Sequence, residues 1–480
     1  MTTNQIRKKW KFICRCRISR KVLAALGILA VLGTAGCSRS GDSENEITNS
    51  GVVENAAGNT VENTAENTVE NAAENIAGSS ADPSSEMFPE SMSAKPVSAE
   101  MTADHPMPDE NSSEPVVPET ESVISETDAV SEKVEELLAD MTLEEKIYQM
   151  FIITPEQLTG VSPVTAAGDM TKAKLEQYPV GGLVYFSGNL VSADQTKTML
   201  SNVQRFSGEI EGVDLFLCVD EEGGRVVRVA QNEAFQVEKV APMANVTGEE
   251  EAYRCGAVIG AYLSELGFNV DFAPNTDVLT NSANTVIGDR SFGSDPEIVT
   301  KYAAAYSDGL HAHGMMSTFK HFPGHGATEA DTHEGYAYTD KSYEALAEAE
   351  LKPFYAAGEN GVDMVMAAHI SVPAVIGDNT PCSLSERMIT GILREEMGYE
   401  GLIITDALNM GAITAHYDSS AVSVKAVAAG VDLLLMPADF QGAYAGLYDA
   451  VRNGEITEER IDESVRRILT AKVKLSRKSD

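Results

Sequence analysis

The feature that most constrains this chain is a series of eight short, largely apolar runs in its last two thirds. They are Met150–Ile153, Leu183–Phe186, Leu215–Val219, Val270–Phe272, Met316–Phe319, Met364–Ala367, Leu402–Ile404 and Leu433–Met436. None alternates apolar with polar residues as a strand with one wet face would, so each reads as a strand buried on both faces of a parallel sheet. Helical segments separate most of them, and eight such strands predict a closed α/β barrel, a single (β/α)8 fold of the TIM type. The polar residues that follow the runs, Asp220, Asp271, Lys320, His369 and Asp406, are spread over many strands. An open doubly wound sheet, the competing architecture, would gather them at one crevice.

The foldable part opens at Glu132 with an amphipathic pattern, Val134, Leu137, Leu138 and Met141, then Leu143, Ile147 and Met150, interrupted by a helix-starting Thr142. The barrel is therefore assigned to residues 132–480. The stretch before it cannot bury a core. Ser38–Ser131 holds 20 acidic residues against Arg39 and Lys95, with Phe88 as its one aromatic, and supplies 18 of the chain's 37 net negative charges. Glu-Asn recurs at Glu54, Glu62, Glu66, Glu70 and Glu74 without an apolar face, so residues 37–131 read as a disordered acidic tether. As a flexible coil it would reach roughly 50 Å. The 19 negative charges left over and the lack of a basic patch argue against nucleic acid as a partner.

Residues 1–36 look like an export signal. Arg7, Lys8, Lys9, Lys11, Arg15, Arg17, Arg20 and Lys21 precede an apolar run from Val22 to Leu32, which is shorter than the ~20 residues of a membrane span. Small residues then lead to Cys37, and Ala35-Gly36-Cys37 resembles a bacterial lipobox with Thr34 in place of the usual Leu. The expectation is a lipoprotein anchored through Cys37 to the outer face of the cytoplasmic membrane. Ordinary cleavage and secretion is the alternative. Cys218, Cys255 and Cys382 remain in the mature part, too few and too odd in number for a disulfide framework.

Four motifs carry the chemistry. The densest, FKHFPGHGATEADTHEG at Phe319–Gly335, holds Lys320, His321, His325, Asp331 and His333. His321, His325, Glu329, Asp331 and His333 could ligate a metal, but Pro323, Gly324 and Gly326 forbid the helical histidine spacing of a zincin, and no metal is expected. A glycine-rich loop with solvated histidines is the plain alternative. CVDEEGGRVVRV at Cys218–Val229 delivers Asp220 at a strand end, with two glycines before Arg225 and Arg228. An Asp beside an Arg can bind sugar hydroxyls, although Asp-Glu and Gly-Gly also make ordinary capped turns. VIGDRSFGSDP spans Val286–Pro296, and GLIITDALNM at Gly401–Met410 is an apolar strand ending in the isolated Asp406, a carboxylate that could also be a helix N-cap.

In this order, the four motifs resemble glycoside hydrolase family 3, specifically its β-N-acetylhexosaminidase branch, over about Asp140–Lys474. MTLEEKIYQMF from Met141, DFAPNTDV from Asp271, PCSLS from Pro381 and AAGVDLLLMP from Ala428 add to the likeness. The chain stops after one barrel, whereas the family's β-glucosidases generally add a second domain. Asp331-Thr332-His333 looks like the branch's Asp-Ser-His loop motif, with Thr keeping the hydroxyl.

The resemblance implies a retaining, exo-acting glycosidase that removes terminal β-linked N-acetylglucosamine and works without a cofactor. Retention requires a nucleophile below the anomeric carbon and a proton donor at the leaving oxygen. By carry-over Asp406 is the nucleophile, His333 the acid/base and Asp331 its orienting partner. Histidine suits the task because its ordinary pKa of about 6.5 lies near working pH. Asp220, Arg228, Arg290, Lys320 and His321 are carried over as sugar-binding positions. Without the likeness, Arg290 would pair with Asp289 or Asp295, and Lys320 with Asp277. N-acetylglucosamine-containing glycans, muropeptides among them, are the expected partners, and the barrel is expected to act as a monomer. A phosphorylase or a β-glucosidase on the same barrel is the alternative enzyme, and a sugar-binding lipoprotein on a dead barrel the alternative class.

Overall fold

The computed structural model describes residues 126–328 and 337–478. Cys37, the signal and nearly all of the tether lie outside the described residues, as do Asp331 and His333.

The first helix, α1 (Glu126–Asp140), begins ahead of the expected Glu132 and adds Val130 to Val134 and Leu138 in the core. It packs on the last helix, Glu458–Lys478, where Arg466 Nε meets Glu135 Oε1 at 2.6 Å. The second helix, α2 (Leu143–Gln149), starts where Thr142 predicts. Thr142 Oγ1 accepts the Glu145 N–H at 3.3 Å and the Glu145 carboxylate accepts the Thr142 N–H at 2.8 Å, a reciprocal cap that satisfies two otherwise orphaned donors.

All eight predicted strands form: β1 (Phe151–Ile153), β2 (Gly182–Val184), β3 (Phe216–Val219), β4 (Val270–Asp271), β5 (Thr318–Phe322), β7 (Met364–Ala367), β9 (Leu402–Thr405) and β10 (Leu434–Leu435). Every residue of these strands is buried, as strands covered on both faces require. Pairing is parallel throughout, in the order β10-β1-β2-β3-β4 and β5-β7-β9. The bridges Val270↔Met316 and Asn275↔Lys320 join β4 to β5, and Ile404↔Leu433 joins β9 to β10, so the ring closes. Helices such as Ala193–Ile210, Glu249–Leu266 and Pro296–His311 link successive strands on the outside.

One feature was not expected from the sequence. Short strands β6 (Ala337–Tyr338) and β8 (Ile370–Ser371) pair in a separate two-stranded ribbon. Lys341, just beyond β6, reaches the fully buried Glu350 at 2.5 Å.

At the N-terminal ends of the strands charge is used as mortar. Buried Asp432 accepts the Ile403 N–H of β9 at 3.0 Å, the Ser464 hydroxyl at 2.7 Å and Arg467 Nη1 at 3.0 Å, and it also pairs with Arg394. Lys472, buried in the last helix, donates to Gln149 Oε1 at 2.8 Å and lies 5.2 Å over the Phe216 ring.

Candidate active site

At the opposite, C-terminal ends the polar residues that follow the strands converge. β3 delivers Asp220, Glu221 and Glu222 in succession, and each carboxylate has a different task. Glu221 accepts the N–H groups of Arg228, Val229 and Ala230 at 2.5, 2.8 and 2.8 Å and the Tyr262 hydroxyl at 2.9 Å, which pins the returning limb of the loop. Gly223 and Gly224 make the turn between the limbs at φ 90° and 56°. A Cβ on Gly224 would also meet Pro242 at 2.9 Å, so the close approach demands glycine.

Glu222 is the hub. Its carboxylate is held by Arg290 in a fork, Nε to Oε2 and Nη2 to Oε1, both at 2.8 Å, and by Lys320 Nζ at 2.5 Å. Burial opposes its ionisation, but the Lys320 and Arg290 charges overcome that and hold its pKa down at about 2. Lys320, 2% exposed on β5, also donates to Asp220 Oδ1 at 3.0 Å, and these two carboxylates raise its pKa against the effect of burial. Arg228 reaches Asp220 Oδ2 at 3.5 Å and lies 5.6 Å over the Phe186 ring. Among the described residues its Nε has no partner.

His321 continues the network. Its Nδ1 lies 2.7 Å from Asp277 Oδ2, and its Nε2 faces Arg290 Nη2 at 3.5 Å. Asp277 is wholly buried and also accepts the N–H groups of His321 and His325, at 3.1 and 2.5 Å. Burial opposes its ionisation, yet His321 and its hydrogen bonds keep it well below the usual carboxylate range. His325 is pushed down by burial and takes a 3.0 Å contact from Thr328 Oγ1 at its Nδ1. The loop histidines described here are therefore structured, not solvated. Among the described residues no cluster of three or more His, Cys, Asp or Glu could hold a metal ion.

Asp406 stands just past β9, half-buried. Among the described residues its carboxylate accepts one hydrogen bond, from the Ala407 N–H at 2.7 Å. Burial opposes its charge, but His321, the Ala407 N–H and Lys320 together keep its pKa below the ordinary value. It caps no helix, because Met410 precedes the next one and Asp418 caps the one after. Asp271, by contrast, is sealed inside the barrel, where burial pushes its pKa well up and favours the neutral acid.

The sequence-predicted positions Asp220, Arg228, Arg290, Lys320, His321 and Asp406 thus belong to one site. Two alternative pairings are corrected. Arg290 pairs with Glu222 rather than Asp289 or Asp295, because Asp289 is engaged by Arg225 at 3.0 Å and Asp295 caps the helix starting at Pro296. Lys320 pairs with Asp220 and Glu222 rather than Asp277, which is committed to His321. Sequence reasoning missed Glu222 and Asp277 as ligands of the site, although both lie inside strings singled out for the family likeness. Directed cationic donors can grip a polyhydroxylated ligand, and a charged, sparsely bonded carboxylate such as Asp406 can attack an electron-poor carbon.

The closed parallel barrel carries this polar constellation at its C-terminal face, and the chain belongs to glycosyl hydrolase family 3: residues 142–471 match the family's N-terminal domain. It is similar to beta-hexosaminidase A of Pseudoalteromonas piscicida, 33% identical over 333 residues, which is 64% of this chain and 55% of that protein. The chain thus spans little more than half the length of that relative. Among solved structures it resembles a glycoside hydrolase family 3 beta-N-acetylglucosaminidase from Paenibacillus sp. str. FPU-7, with TM-score 0.65, 36% identity, and coverage of 70% of this chain and 63% of that one. It also resembles the beta-glucoside phosphorylase BglX, with TM-score 0.63, 26% identity, and coverage of 73% and 62%.

Proposed function

We propose that the barrel is the catalytic domain of a retaining, exo-acting β-N-acetylhexosaminidase that hydrolyses terminal β-linked N-acetylglucosamine. The observation that carries this reading is Asp406, an ionised carboxylate with one described hydrogen bond beside the Lys320, Arg290 and His321 network. The names of similar proteins, a beta-hexosaminidase and a beta-N-acetylglucosaminidase, support the choice of sugar.

In the proposed reaction an Asp406 oxygen attacks the anomeric carbon as the bond to the leaving oxygen breaks, and His333 gives that oxygen its proton. Water then attacks the same carbon, His333 takes its proton, and the glycosyl ester on Asp406 breaks to release the sugar with its configuration retained. Asp331 orients His333. Lys320, Arg228, Arg290, Asp220 and His321 hold hydroxyl and acetamido oxygens, and no cofactor takes part.

The test is turnover of matched chromogenic N-acetyl-β-glucosaminide and β-glucoside by the full chain, with Asp406→Asn as the blank. Preferential, Asp406-dependent release from the acetamido sugar supports the reading, preference for the glucoside overturns the specificity, and silence on both favours a sugar-binding protein. A phosphorylase is the second reading, favoured by the likeness to BglX and by an imidazole, which repels phosphate less than a second carboxylate would. Sugar 1-phosphate formed in phosphate buffer would establish it.

The N-terminal segment extends the proposal: export by residues 1–36, a lipid on Cys37, and the acidic tether holding a monomeric barrel off the outer face of the membrane, where it trims muropeptides. Labelled palmitate should enter the wild type and not Cys37→Ala, and purified muropeptides should lose N-acetylglucosamine.

A further inference from the structure

Behind Asp406 a line of hydrogen bonds runs inward to a buried histidine and serine that the roles assigned above leave unused. Residue Ala407 is fixed on both sides. Its N–H holds Asp406 Oδ1 at 2.7 Å, and its carbonyl oxygen lies 3.2 Å from Nε2 of His369. His369 follows β7 and is 4% exposed. Its other ring nitrogen, Nδ1, lies 2.8 Å from the hydroxyl of Ser383, which is fully buried and whose own N–H is tied to the Ala368 carbonyl at 3.1 Å.

The chemistry of the partners assigns the protons. A carbonyl oxygen only accepts, so His369 Nε2 carries hydrogen, and in the neutral ring Nδ1 is left as the acceptor for the Ser383 hydroxyl. Reversing the tautomer would face a lone pair with a lone pair at Ala407. Burial lowers the pKa of His369, which favours the neutral ring that these two hydrogen bonds require.

We propose that Ser383 and His369 form a positioning relay for the nucleophile: Ser383 fixes the tautomer of His369, His369 fixes Ala407, and Ala407 holds one oxygen of Asp406 so that the other is presented for attack. The Asp406 N–H, donating to the Ala367 carbonyl at 2.8 Å, anchors the near end of the same turn to β7. The relay rests on the assignment of Asp406 as nucleophile. In the proposed relay neither His369 nor Ser383 contacts the sugar. Their effect is on the orientation of the attacking carboxylate, where a displacement of about 1 Å can cost 10²-fold in rate.

Three variants and one spectroscopic measurement test it in the full chain. His369→Asn is too short to reach Ala407 and should lower kcat on the order of 10²-fold, with KM within about threefold of wild type. His369→Gln places an N–H near the position of Nε2 and should recover about tenfold of that loss. Ser383→Ala should lower kcat less than His369→Asn does. In the wild type, the ring ¹⁵N shifts of His369, assigned by their loss in His369→Gln, should report hydrogen on Nε2.

Equal losses in His369→Asn and His369→Gln that track their melting temperatures would overturn the relay, as would hydrogen on Nδ1. Unchanged kcat in folded His369→Asn, with turnover still lost in Asp406→Asn, would overturn the relay alone. Turnover surviving in Asp406→Asn would overturn the nucleophile assignment and the relay together. Should His369→Asn fail to fold, Ser383→Ala and the ring shifts still decide the matter.

Discussion

Strand β9 is bracketed by a carboxylate at each end, and the two are satisfied in opposite ways. At its N-terminal end Asp432 accepts the Ile403 N–H and is saturated by Ser464, Arg394 and Arg467. At its C-terminal end Asp406 has one backbone donor among the described residues, although cationic groups keep it charged. A buried charge with every lone pair occupied is part of the scaffold, because removing it strands its partners. A charge stabilised from a distance but sparsely bonded keeps capacity for another molecule. Under the proposed function, the difference separates the stabilising face of this barrel from its reacting face.

The largest expected effect follows directly. Asp406→Asn should reduce kcat on the order of 10⁴-fold or more while leaving the melting temperature close to wild type. Asp432→Ala should do the reverse, costing about 3–5 kcal/mol by leaving Arg394 and Arg467 without their anion, with turnover per folded molecule unchanged. Calorimetry and active-site-normalised kinetics read both. A large loss of turnover in folded Asp432→Ala would break the comparison.

Glu222 sharpens it, because it is as buried as Asp432 but stands on the reacting face. Glu222→Gln should lower kcat/KM about 10²-fold, through misplacement of Lys320 and Arg290, and also cost stability. The stability part has a defined pH dependence. The folded pKa, about 2, is below the ordinary 4.5, so the carboxylate's contribution is present above about pH 4.5 and is lost as pH falls toward 2. Denaturant titrations across that range should show a weaker acid dependence in the variant. An unchanged slope would mean that Glu222 is not the hub.

The two faces were unequally legible in the sequence. All eight strands could be read, because burial on both faces writes itself as largely apolar runs, and Thr142 marked the start of α2. On the reacting face the sequence supplied Asp220, Arg228, Arg290, Lys320, His321 and Asp406, but not their pairing. Glu222 and Arg290 are 68 residues apart, and Asp277 and His321 are 44 apart, so only the closed ring decides which carboxylate faces which cation. Asp289 and Asp295, nearer in sequence to Arg290, are drawn off by Arg225 and by a helix N-terminus. Strand β6 is partly exposed and lies outside the buried ring, so it and its partner β8 leave no two-sided apolar run to read.

The smallest expected effect tests whether charge on the scaffold face is replaceable. Burial pushes the pKa of Lys472 down to about 7 from the ordinary 10.5, so above pH 7 the unfolded chain holds a proton that the folded chain has released. Stability should therefore rise with pH through the window from about 7 to 9.5, the sign required when the unfolded state binds more protons. Lys472→Met keeps an unbranched side chain over the Phe216 ring and loses only the bond to Gln149. Its stability at pH 7 should differ from wild type by less than ~1 kcal/mol, since a buried ion replaced by a well-packed apolar group is often neutral. The rise with pH should largely disappear and kcat should not change. Loss of turnover in this variant would mean that the two ends of the barrel are coupled, and that the division drawn from Asp432 and Asp406 does not hold.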